Sequence, residues 1–184
     1  ANNRPAANNP WFNAICPHMP YCWGYDYNHE SQATQNFMDR VNHYWLDEYH
    51  VDGFRFDFTK GFSNNSNNYD NGRIQLLKRM ADTIWSVHPN SYIILEHWAD
   101  NNEEKILADY GMMLWGNVTH GYQESGMGYI SGSNLSFGVY KYRTWSQPHL
   151  ISYMESHDEE RIMYKNITYG NNGPNHDVKN LITA

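Results

Sequence analysis

Three acidic residues of this 184-residue sequence each come after a segment with the character of a β-strand. Asp57 follows an alternating stretch, Glu96 ends an apolar run, and Asp158 comes shortly after another apolar run. Asp57 and Glu96 are 39 positions apart, and Glu96 and Asp158 are 62 positions apart, which is two units of 31. Because parallel βαβ units run to about 30 residues or more, the spacing predicts three carboxyl groups at the carboxyl ends of parallel strands.

Carboxyl groups in this arrangement can carry out acid–base and nucleophilic chemistry. Strand alternation places Arg55 on the same face as Asp57, and a nearby guanidinium favours the ionised carboxylate that a nucleophile needs. Glu96 ends an apolar strand, where partial desolvation raises the pKa of a carboxyl group and suits it to donate a proton. Two carboxyl groups with these properties, on either side of one bond, are what glycoside hydrolysis requires.

Each acidic residue also has a purely structural interpretation. Asp57 and Arg55 could form a salt bridge at a strand end, and Glu96 could cap the helix that follows it. Asp158 could be the N-cap of a helix with an acidic first turn. The occurrence of all three at strand ends, at the spacing of a barrel, favours a shared site.

The hydrophobic pattern predicts the helices and strands that position these residues. A helix from Ser31 to His50 has Phe37, Val41, Trp45 and Tyr49 at i+4 spacing. The other predicted elements are a strand at 51–58, a helix at 73–87, a strand at 92–96, a helix at 100–111, apolar runs at 112–115 and 150–154, and a helix beginning at 159. Residues 120–147 are ambiguous. This alternation predicts an α/β fold, and its spacing fits both a (β/α) barrel and a doubly wound sheet.

Composition excludes several classes of function. The formal net charge is −7 and there are no long basic runs, so a nucleic-acid partner is not expected. No stretch approaches 18 consecutive apolar residues, so no membrane span is expected. Cys16 and Cys22 could close a small disulfide or remain free thiols, and their spacing does not indicate a structural zinc site. We expect no metal site in this segment.

Three segments resemble signature regions of the α-amylase superfamily, glycoside hydrolase family thirteen. Gly53-Phe54-Arg55-Phe56-Asp57-Phe58-Thr59-Lys60 resembles the second region, Ile94-Leu95-Glu96-His97 the third, and Glu155-Ser156-His157-Asp158 the fourth. The order and spacing of the three segments also match. The resemblance implies a (β/α)₈ TIM barrel, of which this chain would supply about strands four to seven with their helices.

The resemblance also implies a role for individual residues. Asp57 would be the nucleophile, Glu96 the acid and then the base, and Asp158 the third essential carboxylate. Arg55 would orient the nucleophile, His157 would contact a sugar hydroxyl, and Lys60 would lie near an acceptor subsite. Independently of the resemblance, the position of Trp98 beside the third motif makes it a candidate for stacking on a sugar ring. Because the family retains anomeric configuration, we expect the carboxyl oxygens of Asp57 and Glu96 to lie about 5–5.5 Å apart.

The sequence departs from the family pattern at three points. The first signature region is absent, Gly61 stands where a histidine usually follows the lysine, and Ser156 replaces the usual asparagine. The run from Ser156 to Glu159 is somewhat like that of branching enzymes. No cofactor is expected to be required, and calcium, common in the family, is not supported by this segment.

These observations predict a retaining α-glucan hydrolase that cleaves α-1,4 bonds of starch-like or glycogen-like polysaccharide. A glucan branching enzyme or transglycosylase and a non-catalytic glucan-binding relative are the alternatives. Residues 1–30 are expected to be an irregular loop region preceding barrel helix three, and 31–184 the central and C-terminal part of the barrel. Since a complete barrel needs at least about 200 residues, we expect a fragment, inactive alone and self-associating through exposed sheet edges. A secreted or cell-envelope location is expected because large glucans do not enter cells intact.

Overall fold

The computed structural model describes residues 4–171, which form an α/β fold. The helices are α1 (Gln32–Tyr49), α2 (Asn71–Val87), α3 (Asn101–Tyr110), α4 (Thr119–Met127) and α5 (Ile162–Tyr169). The strands are β1 (Gly53–Phe56), β2 (Tyr92–Leu95), β3 (Met113–Asn117) and β4 (Leu150–Tyr153), and short 3₁₀ helices occupy Thr59–Phe62, Ile130–Gly132 and Ser136–Gly138. The last residues of the predicted domain range, 172–184, lie outside the described part of the chain.

The four strands form one parallel sheet in the sequential order β1-β2-β3-β4. A doubly wound sheet reverses its strand order at a switch point, whereas the strands of a barrel follow one another around the sheet in chain order. The sequential order therefore resolves the alternative that the spacing left open. The predicted α/β fold of partial (β/α)₈ barrel type is confirmed.

The chain divides into two compact units, residues 1–114 and residues 115–184, with the boundary inside β3. The core of the first unit is built from one face of α2 and the strands β1 and β2. Helix α2 begins where the Asp70 side chain accepts a hydrogen bond of 2.9 Å from the Gly72 N–H, and it ends just before Pro89. Its predicted apolar face is buried, through Ile74, Leu77, Met80, Ala81 and Ile84, whereas Val87 is exposed.

Helix α1 is confirmed in its bounds but not in its apolar face. The residues that it buries are Thr34, Asn42 and Leu46, one position away from the stripe of large apolar residues, and Trp45 and Tyr49 are 43% and 58% exposed. Burial here follows packing against α2, where Arg79 of α2 forms a two-point ion pair with Asp39 of α1. The i+4 spacing of large side chains therefore predicted the helix but not its orientation.

Strand β1 is shorter than predicted because the chain turns directly after Phe56. Phe58 adopts the left-handed conformation with φ of 41° and cannot continue a strand. At the other end of β1, a Cβ atom on Gly53 would lie 2.2 Å from the carbonyl oxygen of Tyr92. Only glycine allows β1 and β2 to approach this closely.

Helix α3 has the start and stop that the sequence predicts. The Asp100 side chain accepts a hydrogen bond of 2.8 Å from the Asn102 N–H, which satisfies a free donor of the first turn. The helix ends at Gly111, whose φ of 128° is accessible to glycine.

In the second unit, α4 lies within the segment that the sequence left ambiguous, and it packs against α5. Helix α5 begins at Ile162, later than predicted, because residues 154–161 form an irregular loop that carries Asp158. Between residues 4 and 171, none of the helices has the length and apolar character needed to cross a bilayer.

Candidate active site

Two of the predicted catalytic carboxylates meet in the first unit at the guanidinium of Arg55. Arg55 projects from β1, and its Nη1 donates to Oδ1 of Asp57 at 2.5 Å. Its Nη2 lies 2.6 Å from Oε1 of Glu96, which directly follows β2. Because β1 and β2 pair in parallel, with Arg55 opposite Ile94, both carboxylates are at the same end of the sheet. One cation therefore contacts both acids.

Glu96 is almost completely buried, with 2% of its surface exposed. Its Oε2 accepts a hydrogen bond of 3.0 Å from the Phe58 N–H. Burial raises the pKa of the Glu96 carboxyl above its ordinary value, and the neighbouring Asp57 raises it further, against the lowering effects of the Phe58 N–H and of Arg55. The raised pKa suits Glu96 to hold a proton, as the sequence predicted for an acid.

Asp57 and Glu96 lie close enough to contact the same guanidinium. Nη1 of Arg55 is 2.5 Å from Asp57, and Nη2 is 2.6 Å from Glu96. The neighbouring Asp57 is also one of the causes that raise the pKa of Glu96. The expected separation of about 5–5.5 Å between their carboxyl oxygens stays a prediction.

The structural alternatives for Glu96 and Asp158 as helix caps are excluded. The N-cap of α3 is Asp100, and the N-cap of α5 is Arg161. Glu96 instead bonds to Arg55 and to the backbone of the turn after β1. The structural alternative for Asp57, a salt bridge with Arg55 at the strand end, is observed. That pair extends to Glu96 and is therefore part of a site.

A buried chain of polar side chains lies behind Glu96. The ring Nδ1 of His97 is 2.8 Å from the Thr59 hydroxyl, and its Nε2 is 2.8 Å from Oε1 of Glu103. Arg73 donates to both carboxylate oxygens of Glu103, at 2.6 and 2.8 Å. These four residues, Thr59, Arg73, His97 and Glu103, are inaccessible to solvent.

The same buried side chains also bond to the backbone, at Glu96 itself and in the loop after β1. The Thr59 N–H and hydroxyl both donate to the Glu96 carbonyl, at 2.8 and 3.1 Å. Arg73 also donates to backbone carbonyls of the loop after β1, those of Lys60, Asn65, Asn67 and Asn68. The polar chain therefore ties the turn after β1 to the start of the segment after β2.

Lys60 and Trp98 both line a cavity of about 240 Å³, together with Phe58, the residue after Asp57. Lys60 donates to Asn68 at 3.1 Å, and the rings of Trp98 and Phe58 meet edge to face with centroids 6.3 Å apart. Trp98 has a φ of 54° and Phe58 a φ of 41°, a conformation that bulky residues rarely adopt and that is concentrated at functional sites. Phe58 lies one position after the candidate acid Asp57, and Trp98 lies two positions after the candidate acid Glu96.

The second unit contains Asp158 and His157, in the loop between β4 and α5. Nε2 of His157 lies 3.3 Å from Oδ1 of Asp158, and both side chains are substantially exposed. The Ser156 hydroxyl accepts from the Asp158 N–H at 3.1 Å and donates to Glu159, which also accepts from Asn117 at the end of β3. The loop is thus fixed through Glu159, which leaves Asp158 accessible. The convergence of Asp158 with Asp57 and Glu96 stays a prediction.

Within residues 4–171, no group of three or more His, Cys, Asp or Glu side chains is placed to hold a metal ion. Cys16 and Cys22 are joined by a disulfide, which settles the alternative that their spacing left open. No step of the chemistry considered below is assigned to a metal.

Comparison with known proteins gives two similar proteins. The 1,4-alpha-glucan branching enzyme GlgB of Bacillus caldolyticus is 25% identical over 146 residues, which cover 77% of this chain and 18% of that protein. Amy13B of Eubacterium rectale has a solved structure with a TM-score of 0.48 and 21% identity, over 72% of this chain and 26% of that one. No protein-family model matches the sequence.

The similarity to a 1,4-alpha-glucan branching enzyme confirms the resemblance to the α-amylase superfamily. The chain spans about a fifth of the length of the curated relative that it matches. Enzymes of the α-amylase superfamily are glycoside hydrolases and transglycosylases, and this chain is similar to them.

Sequence reasoning found the α-amylase-superfamily motif residues but missed those that support them. No motif of the sequence includes Arg73, although its buried guanidinium donates seven hydrogen bonds within the described residues, to the Glu103 carboxylate and to the loop after β1. Glu103 was read only as part of a helix. A charged residue on the apolar face of a predicted helix, as Arg73 is beside Ile74 and Leu77, is the signal that could have found it.

Proposed function

We propose that the full-length protein is a retaining α-glucan hydrolase of the α-amylase type, which cleaves α-1,4 bonds of a starch-like or glycogen-like polysaccharide. Asp57 is its nucleophile, Glu96 its acid and base, and Asp158 its third essential carboxylate. The observation that carries the proposal is the pair of carboxyl groups on Arg55, one buried with a raised pKa and one exposed. This asymmetry provides a proton donor and an accessible carboxyl group for nucleophilic attack within one site.

In the first half-reaction, an oxygen of the Asp57 carboxylate attacks the anomeric carbon of the bound sugar. The bond from that carbon to the glycosidic oxygen breaks, and the leaving oxygen takes the proton of Glu96. Asp57 is suited to this step because its side chain is 75% exposed and reaches the solvent-facing side of the sheet end. Arg55 holds the carboxylate in position until the attack, through an ion pair of 2.5 Å.

In the second half-reaction, Glu96 is ionised and accepts a proton from water, whose oxygen attacks the same carbon. The ester bond to Asp57 breaks and the nucleophile is restored. The Phe58 N–H and Arg55, both of which favour ionised Glu96, stabilise the carboxylate that forms between the two steps. Glu96 therefore has contacts for both of its protonation states.

The remaining predicted residues complete the proposed site. Trp98 provides an aromatic surface for a sugar ring, and Lys60 provides a hydrogen-bond donor beside it. His157 binds a sugar hydroxyl and Asp158 stabilises the transition state, as the resemblance implies. Both are accessible in the second unit.

Product analysis on amylose with the full-length protein tests the proposal. We expect wild-type protein to release short oligosaccharides and reducing ends, and Asp57→Asn to lose this activity. Asp109→Asn is a matched control, because Asp109 pairs with Lys105 on the surface of α3. Wild-type protein that binds amylose without cleaving or transferring it would make the chain a non-catalytic glucan-binding relative. Unchanged turnover in Asp57→Asn would exclude Asp57 as the nucleophile.

A second candidate function is glucan branching or another transglycosylation. It is favoured by the similarity to a 1,4-alpha-glucan branching enzyme. In that reaction a sugar hydroxyl, in place of water, attacks the glycosyl-enzyme on Asp57, and Glu96 accepts its proton. New α-1,6 branches in the products, without a matching rise in reducing ends, would identify this reaction.

A further inference from the structure

A loop closed by the Cys16–Cys22 disulfide forms one wall of the cavity that holds Lys60 and Trp98. From this loop, His18, Met19 and Tyr21 line the cavity, and Phe58, Lys60, Ser66 and Trp98 line the rest. His18, Tyr21 and Phe58 also line a second cavity, of about 180 Å³, which contains Asp57. The loop therefore lies beside the candidate nucleophile, although no motif of the sequence includes it.

His18 has a buried ring nitrogen without a hydrogen-bond partner among the described residues. It is 7% exposed, and in residues 4–171 its ring Nε2 has no hydrogen-bond partner. A buried donor or acceptor left unsatisfied costs about 1–3 kcal/mol, so a group in this state is stabilised by any ligand that bonds to it. Since His18 lines the cavity, a ligand there can supply the missing partner.

Gly61 lies between the Phe58 ring and this imidazole. A Cβ atom at position 61 would lie 2.9 Å from the Phe58 ring, which is too close, and 3.8 Å from Cδ2 of His18, which is ordinary contact. A larger residue at position 61 would therefore displace Phe58, which shares the cavity wall with His18.

We propose that His18 and the disulfide-closed loop form a subsite for one pyranose ring of an α-glucan, in which the imidazole bonds a sugar hydroxyl. Aromatic faces on Tyr21, Phe58 and Trp98 suit the apolar C–H face of a sugar ring, and Lys60 and His18 supply polar contacts at its edge. The cavity is smaller than the roughly 300–1,000 Å³ of sites for drug-sized ligands, which suits a single ring. A nucleotide base would also stack, but the net charge of −7 opposes a phosphate backbone.

The proposal rests on the proposed function for the identity of its ligand, and it is tested by binding alone. Glu96→Gln in the full-length protein gives a background that consumes the ligand about 10²–10⁴-fold more slowly than the wild type. In this background, isothermal titration with maltoheptaose should show that His18→Ala raises Kd by about tenfold, the effect of losing one good hydrogen bond. His18→Gln, which keeps an N–H donor, should bind more tightly than His18→Ala. His120→Ala, at an exposed histidine of α4, should leave Kd unchanged.

Histidine ring ¹⁵N spectra of the same background provide a measurement that does not depend on the affinity of a His18 variant. The His18 ring nitrogens, assigned by loss of signal in His18→Gln, should shift when maltoheptaose is added. A His18→Ala variant with the background Kd, or a His18 signal that does not move at saturation, would overturn the subsite. Loss of affinity in His18→Ala, together with wild-type protein that makes no product from amylose, would keep the subsite and reject the proposed enzyme activity.

Discussion

At the end of β1 the side chain of Asp57 is 75% exposed, whereas at the end of β2 the side chain of Glu96 is 3% exposed. Both carboxylates bond to Arg55, and an aromatic residue in the left-handed conformation lies one or two positions after each of them. The difference is in what lies behind them, because a buried polar chain through His97 supports the Glu96 side. Two strand ends of similar local structure thus place the same functional group in opposite environments, which suit the two proposed roles.

The most direct way to break this comparison is to remove each carboxylate in turn and change the leaving group. On starch, Asp57→Asn should lose about 10⁴-fold or more in kcat, and Glu96→Gln about 10²–10⁴-fold. On an aryl glucoside with an acidic phenol, which leaves without protonation, Glu96→Gln should recover a burst of phenol release, and Asp57→Asn should not. Rapid-quench measurement of the burst checks this.

The reverse pattern, with a burst in Asp57→Asn alone, would exchange the two roles. Equal losses on both substrates in both variants would show that neither residue donates the proton.

The buried support of Glu96 can be removed without touching either carboxylate. Arg73→Met leaves Glu103 buried without its cation, and breaking a buried pair in this way costs about 3–5 kcal/mol of unfolding free energy. Arg79→Met, which removes a partly exposed ion pair with Asp39, should cost about 1 kcal/mol or less. Urea unfolding of the full-length variants, followed by tryptophan fluorescence, makes the comparison. Equal losses in the two variants would mean that the chain behind Glu96 is not structurally special.

The raised pKa of Glu96 can be tested through the dependence of the unfolding free energy on pH. Because burial raises this pKa above its ordinary value of 4.5, the folded protein binds the proton more tightly than the unfolded chain. Its contribution to stability is fully present below pH 4.5 and is lost as pH rises through the folded pKa. Glu96→Gln cannot ionise, so its unfolding free energy should gain on that of the wild type as pH rises through this window.

Urea unfolding at a series of pH values measures the difference, and Glu48→Gln, at an exposed carboxyl of α1, controls for the loss of one negative charge. A difference between Glu96→Gln and wild type that falls with rising pH would indicate a lowered pKa and an unsuitable proton donor.

The smallest expected effect concerns the strained backbone at Trp98. The left-handed conformation costs a non-glycine residue about 1–2 kcal/mol, so Trp98→Gly should be more stable than Trp98→Ala by about 1 kcal/mol. Both variants should lose affinity for maltoheptaose equally, since both lack the ring. Thermal unfolding and titration of the pair separate the two effects. A glycine variant less stable than the alanine variant would show that the φ of 54° is not strained in the protein.

The sequence predicted those parts of the molecule that depend on neighbours along the chain. The bounds of α1, the caps of α3 at Asp100 and Gly111, and the shared face of Arg55 and Asp57 all follow from local spacing and local hydrogen bonds. The contact of Arg55 with Glu96 could be expected once β1 and β2 were taken as parallel neighbours.

The parts that could not be predicted depend on packing between distant segments. The buried face of α1 is set by its contact with α2, so Leu46 is buried and Trp45 is not. Arg73 and Glu103 are 30 positions apart, on helices whose relative placement no periodicity gives. His18 lies in an irregular loop, where neither the period of a strand nor that of a helix assigns a side chain to a surface.

The disulfide between Cys16 and Cys22 has a consequence for the loop between them. A loop closed by a disulfide has few conformations, so His18 and Tyr21 are ordered before a ligand binds. The entropy cost of ordering them on binding is therefore small. Reduction of the bond would restore that freedom. The affinity of the protein for the proposed polysaccharide should then fall in a reducing medium, although neither sulfur atom is proposed to contact the sugar.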